Sequence, residues 1–224
     1  LWTNASTGTM EHMTVIDTLA NLAEPLGDDE IHVWQLAYDQ VQGRDPLRAV
    51  LATYLDVAAS EVRLIEAEHG RPLFADEHDQ TLGFNWSHSG KHALVAIGRH
   101  IHPGIDLEQR RPKPRSLDLA QRFFHPDEAR FLAELADSER DAAFLQLWTA
   151  KEAVLKSMGR GLAFGLHRLS IATADDQLAL RHLEGDQADA WQLQRLSPGP
   201  TLIAALAWRG SPRRLRFGRL ASTR

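Results

Sequence analysis

Residues 84–108 read FNWSHSGKHALVAIGRHIHPGIDLE, and the organisation of the chain is worked out from them. His92–Gly98 is an apolar run of strand length, and Gly104–Glu108 is a second, shorter one. His102-Pro103 breaks the pattern between them, because proline fixes φ and holds its predecessor extended. Ahead of the break, IHVWQLAYD (31–39) alternates as a strand does. Pro46 then opens a helix with Leu47, Val50, Leu51, Tyr54 and Leu55 on one face, and Glu61–Ala67 predicts a strand before the turn Gly70-Arg71-Pro72. Beyond the break, Pro126–Ala136 and Asp141–Ser157 carry helical spacing, the latter ended by Gly159 or Gly161. Strands are expected at Leu169–Thr173, Ala190–Leu196 and Leu202–Trp208. Strands and helices on both sides predict an α+β fold with two similar lobes. The divisions expected are an N-terminal extension over 1–30, with a short helix in 14–30, an N-terminal lobe over 31–102 and a C-terminal lobe over 103–224.

Composition narrows the function classes. A chain of 224 residues buries roughly 70% of its unfolded surface and needs no staple. It has no cysteine, which excludes disulfide scaffolds, zinc–thiolate and iron–sulfur sites and thiol nucleophiles. No apolar run approaches the ~18 residues of a membrane span. Residues 1–13 lack the basic and apolar regions of a secretory signal; they read as sequence ahead of the true start, with Met10 and Met13 as candidate initiators. A soluble protein of a reducing compartment, the cytoplasm, is expected. The net charge is −5, but residues 1–43 hold seven acids and no Lys or Arg, leaving 25 bases against 23 acids in the remainder. Basic clusters lie at Arg110–Arg115 (RRPKPR) and between Arg209 and Arg224. Local basic patches on a near-neutral body point to an anionic ligand or an acidic protein partner rather than duplex DNA, and RNA-binding aromatic signatures are absent.

Three segments offer chemistry. On the strand Gly104–Glu108, Asp106 and Glu108 are two apart and share a face, where paired carboxylates call for a neutralising cation and hard oxygen donors suit Mg²⁺. Such pairs are also common at exposed strand ends. In WTAKEAVLK (148–156), Trp148, Glu152 and Lys156 lie at i, i+4 and i+8 on one helix face. By spacing alone that is a core tryptophan and an ordinary helix ion pair; a third carboxylate and a cation become chemistry if this face meets Asp106 and Glu108. In Phe84–Ser89, Ser87, His88 and Ser89 can donate to phosphate oxygens, or equally form a turn that satisfies its own backbone. There is no GxSxG elbow, no HExxH and no Walker loop.

In this order, FNWSHSG, GIDLE and WTAKEAVLKSMGRGL resemble the Sfp-type 4′-phosphopantetheinyl transferases, which carry FN-x-SHS, G-[IV]-D-[IV]-E and W-x-x-KE-A-x-x-K. RDPLRAVLATYLDVAASEVRL with GRPLF, and RFFHPDEARFL, add to the likeness, which runs from about Ile31 to Trp208. The resemblance implies two pseudo-twofold lobes with coenzyme A in the cleft between them, and Mg²⁺-dependent transfer of phosphopantetheine to a carrier-protein serine. It implies Asp106, Glu108 and Glu152 as metal ligands, Lys156 as stabiliser of the transferring phosphate, and Ser87, His88 and Arg71 as coenzyme A contacts. Glu152 is the first choice of base and Glu108 the second. An acidic acyl or peptidyl carrier is expected to dock near Arg110–Phe124, on a monomer. The chain departs from the family where an Arg- and Lys-rich segment usually precedes the first helix; here no base precedes Arg44, so the 3′-phosphate falls to Arg44, Arg48, Arg71 or His88. The alternatives are a non-catalytic coenzyme A or carrier-protein binding module, and a Mg²⁺-dependent phosphohydrolase.

Overall fold

The computed structural model describes residues 14–16, 26–174 and 177–220. The first half holds β2 (Glu30–Ala37), α1 (Asp45–Leu55), the short pair β3 (Leu64–Glu66) and β4 (Pro72–Phe74), then β5 (Leu82–Ser89) and β6 (His92–Arg99). The second holds β7 (Gly104–Gln109), α2 (Ser116–Phe123), α3 (Pro126–Glu134), α4 (Asp137–Ser157), the pair β8 (Leu169–Ala174) and β9 (Gln177–Leu183), then β10 (Trp191–Leu196) and β11 (Leu202–Arg209). Within the halves the strand orders are β2-β6-β5 and β7-β11-β10. In each, the first strand pairs antiparallel with the last, the last pairs with the one before it, and helix and hairpin fill the connection. The two lobes therefore share one topology in an α+β fold.

The final strand, β12 (Arg214–Leu220), does not stay with the second half. It crosses back to pair parallel with β2, and β1 (Thr14–Ile16) pairs parallel with it on the far side. Arg214 and Arg216 both reach the buried carboxylate of Glu30, at 2.8 and 3.1 Å, which holds this return strand against β2. Most of the helix expected over 14–30 lies outside the described residues; Thr14–Ile16 within it is a strand. Phe84–Ser89 is the end of strand β5, and only Gly90 of FNWSHSG lies in a turn. Among the described residues no helix is long and apolar enough to cross a membrane.

One apolar cluster surrounds α1 and a second surrounds α4, while a third fills the space between the two sheets with Ile31, Val33, Leu94 and Ala96 against Ile105, Leu107, Leu202 and Leu206. Alternation along β7 thus sends Ile105 and Leu107 into this shared core and leaves Asp106 and Glu108 on the opposite face. The 21 residues of α4 pack along β7 and β11, and an ion pair inside the second lobe anchors the helix. Lys151 is 0% exposed; its ammonium meets Glu128 Oε2 at 2.6 Å and donates to the carbonyls of Leu166 and Leu169 at 2.9 and 2.6 Å. Glu128 in turn accepts from the backbone of Ile171 and His125. Burial pushes the Glu128 carboxyl up and pulls the Lys151 ammonium down, so each charge depends on the other.

Removing only one partner strands a buried charge. Lys151→Met is expected to cost about 3–5 kcal/mol in urea unfolding. Adding Glu128→Gln, which removes that charge and keeps an acceptor for Ile171, is expected to recover about half of the loss.

Candidate active site

β7 is an edge strand. Its pairing with β11 satisfies one side, and on the other the N–H groups of Ile105, Leu107 and Gln109 face side chains of β5. Asn85 Oδ1 accepts from Ile105 at 3.0 Å, Ser87 Oγ from Leu107 at 3.2 Å and Ser89 Oγ from Gln109 at 3.1 Å. Alternate side chains of one lobe thus stand in for the backbone ladder of the other, in constant register. Each serine hydroxyl also donates to a carboxylate, Ser87 to Asp106 Oδ1 at 2.9 Å and Ser89 to Glu108 Oε2 at 3.2 Å.

α4 crosses the same place. Gly104 permits this approach: a Cβ there would lie 2.0 Å from the Ala153 carbonyl and 2.4 Å from the Ser157 nitrogen, both backbone. The closeness brings Glu152 and Lys156 to Asp106 and Glu108. Lys156 Nζ binds Asp106 Oδ1 at 2.7 Å and the Ile105 carbonyl at 3.1 Å. Asp106 Oδ2 and Glu152 Oε1 are buried and have no partner. Burial, reinforced by the charges of Asp106 and Glu108 and opposed by Lys156, pushes the Glu152 carboxyl up to about 7. An orphaned buried carboxylate oxygen costs desolvation energy that a cation would relieve. Among the described residues no group of three or more His, Asp or Glu side chains is placed to hold a metal ion. The donor chemistry nevertheless fits Mg²⁺, with hard oxygens, an excess of negative charge and two of those oxygens free.

The other residues singled out by sequence divide. His88, on the opposite face of β5 from Ser87, is exposed and stacks on Tyr38 with ring centroids 4.4 Å apart. Partial burial and the nearby Lys156 charge hold its imidazole below the usual histidine range. Arg71 sits at the last turn of α4, donating to the carbonyls of Lys156 at 2.6 Å and Phe84 at 3.4 Å, so its cation caps the helix and ties it to β5. Arg44 is bound to Glu66 at 2.6 Å. Ser87, expected at a phosphate, has its one hydroxyl hydrogen committed to Asp106. Trp148 packs on Phe124 and Phe144. Sequence reasoning passed over Asn85, Ser89 as a carboxylate partner, and the Glu128–Lys151 pair; the alternation of Asn85, Ser87 and Ser89 was the available signal for the first two. A surface cavity of about 860 Å³ lined by Asp45, Arg48, Arg63 and Ile65 lies in the first lobe and includes none of the carboxylates just described.

The sequence pattern of the 4′-phosphopantetheinyl transferase superfamily matches residues 103–207, the span that carries β7 and α4. The 4′-phosphopantetheinyl transferase HetI of Nostoc sp. is 32% identical over 215 residues, covering 81% of this chain and 89% of HetI. The chain belongs to the 4′-phosphopantetheinyl transferase superfamily. Within that superfamily it is also similar to slr0495 of Synechocystis sp., a provisionally named 4′-phosphopantetheinyl transferase, at 37% identity over 70% of this chain and 62% of that protein. Sfp of Bacillus subtilis is 33% identical over 58% of this chain and 56% of its own. A crystal structure of Thermotoga maritima holo-[acyl-carrier-protein] synthase overlaps 49% of this chain and 62% of that one, at a TM-score of 0.39 and 17% identity.

Two outcomes test this geometry. Gly104→Ala drives a Cβ into the backbone of α4 and is expected to cost about 3 kcal/mol in chemical unfolding. Glu152 has a carboxyl at about 7 in the fold against 4.5 as its ordinary value, so the folded chain binds more protons over that interval. Its charge then costs stability progressively as pH rises from 4.5 through 7. With chelator present, Glu152→Gln is expected to raise the melting temperature at about pH 8, a gain that fades as pH falls through that interval.

Proposed function

We propose that this chain transfers the 4′-phosphopantetheine group of coenzyme A to a serine hydroxyl of an acyl or peptidyl carrier protein, releasing adenosine 3′,5′-bisphosphate. The observation that carries this reading is the pair of partnerless buried carboxylate oxygens, on Asp106 and Glu152, beside Lys156 in a superfamily that performs this transfer. Asp106, Glu108 and Glu152 would hold Mg²⁺, which when bound supplies a Lewis acid to the coenzyme A pyrophosphate. In the transfer, the serine oxygen forms a bond to the β-phosphorus of coenzyme A while the bond from that phosphorus to the bridging oxygen breaks. The bisphosphate leaves with that electron pair, and the serine proton passes to a base. Glu152 is the assigned base, with its buried Oε1 free of any partner among the described residues. Glu108 is the second candidate. Lys156 places an ammonium where phosphate charge develops.

His88 is exposed, with the Lys156 charge close enough to lower its imidazole, and it suits a coenzyme A phosphate. Arg71 and Arg44 serve the nucleotide end in this reading, Arg71 through the α4 turn it caps and Arg44 by exchanging Glu66 for phosphate. The carrier docks on Arg110–Phe124. Arg110, Arg111 and Arg115 are exposed there, Lys113 is tied through its backbone to Asp141 of α4, and Phe123 is 41% exposed with the Arg122 guanidinium over its ring. That offers an acidic helix both charge and an apolar anchor. Both lobes of one chain supply the site, which supports a monomer, and a chain without cysteine that uses coenzyme A suits the cytoplasm.

Mass spectrometry of an apo acyl carrier protein incubated with this protein, coenzyme A and Mg²⁺ is expected to show the gain of one phosphopantetheine, abolished by EDTA. Glu152→Ala is expected to lower the rate by about 10² or more with folding intact. A full rate in that variant overturns the metal and base assignments together.

A further inference from the structure

We infer that Ser87 and Ser89 are positioning residues of the divalent-cation site, their hydroxyls fixing which oxygen of Asp106 and Glu108 is left for the metal. This rests on the proposed transferase reading and deepens it. The two serines repeat one arrangement. Each hydroxyl accepts the N–H of the residue after an acid and donates to that acid's carboxylate: Leu107 and Asp106 for Ser87, Gln109 and Glu108 for Ser89. A hydroxyl has one hydrogen, and an N–H aimed at its oxygen leaves that hydrogen free to point only at the carboxylate. Asp106 Oδ1 is then taken by Ser87 and Lys156, and Oδ2 is the buried oxygen without a partner. The serines stand on β5 of the first lobe and the acids on β7 of the second, so the orientation of the ligands depends on the register between lobes.

Asn85 supplies the internal control. It joins the same seam by accepting from Ile105, yet it touches no carboxylate. Loss of Asn85 loosens the seam alone; loss of a serine also removes a hydrogen-bond partner from an acid. Outer partners of metal ligands typically change affinity by about 10–100-fold.

The test is Mn²⁺ affinity, read from free Mn²⁺ by electron paramagnetic resonance at saturating coenzyme A, together with coenzyme A affinity in EDTA and thermal melting. Ser87→Ala and Ser89→Ala are each expected to weaken Mn²⁺ binding about 10-fold while coenzyme A affinity in EDTA stays unchanged. Asn85→Ala is expected to lower the melting temperature and leave Mn²⁺ affinity within about 2-fold of the parent, since Ser87 and Ser89 still hold Asp106 and Glu108. Ser89 is half-buried, so Ser89→Thr keeps both fold and hydroxyl and is expected to restore binding. Unchanged Mn²⁺ affinity in the serine variants overturns the inference. So does equal weakening in Asn85→Ala, which would make seam integrity the cause, and so does a fall in coenzyme A affinity in EDTA with Mn²⁺ affinity intact, which would make the serines phosphate contacts. If the unaltered protein binds no Mn²⁺ at saturating coenzyme A, the transferase reading's metal assignment fails first.

Discussion

The unpaired edge of β7 is the constraint on which the arrangement depends. A buried strand edge carries N–H groups that must find acceptors. Here the acceptors are Asn85, Ser87 and Ser89 of the other lobe rather than a neighbouring backbone. Side chains reach farther than a backbone ladder, so the two sheets can pack on a shared apolar core and still be held in register. The acids between those N–H groups come to the interface as a consequence, because alternation places Asp106 and Glu108 opposite Ile105 and Leu107.

Helix α4 meets this seam through three separate supports. Gly104 removes the Cβ that would keep strand and helix apart. Glu128 and Lys151 lock the helix from inside the second lobe, and Arg71 caps its last turn from the first. The supports fall on different sides of Glu152 and Lys156, which keeps those side chains at the seam while leaving buried carboxylate oxygens unsatisfied. Such a concentration of repelling charge is costly for a fold and useful for a cation, and it adds to the burial that chiefly raises the Glu152 carboxyl.

The helix around Leu47 was legible from its one apolar face, and the helix around Leu145 and the strands at 92–98, 104–108 and 202–208 from the density of apolar residues between breaking residues. β12 was not, since RLRFGRL carries arginines whose charges are answered by Glu30 across the sheet. The Phe84–Ser89 segment read equally as phosphate contacts or a turn because its polar alternation serves another strand rather than solvent. Ser87 and Arg71 carry partners within the chain that their residue types do not specify. Their residue types suit phosphate, and a hydroxyl or guanidinium looks the same in sequence whether it meets a ligand, a carboxylate or a helix end.

Sequence alone determined which side chains share a face: Asp106 with Glu108, and Glu152 with Lys156. Those relations follow from the two-residue period of a strand and the near four-residue period of a helix, which the local backbone sets. Only the tertiary structure decided which faces meet, that serines hold acids, that an arginine closes a helix and that the last strand returns to the first lobe. Those pairings are made between residues far apart in the chain, and they depend on packing and desolvation that no local period encodes.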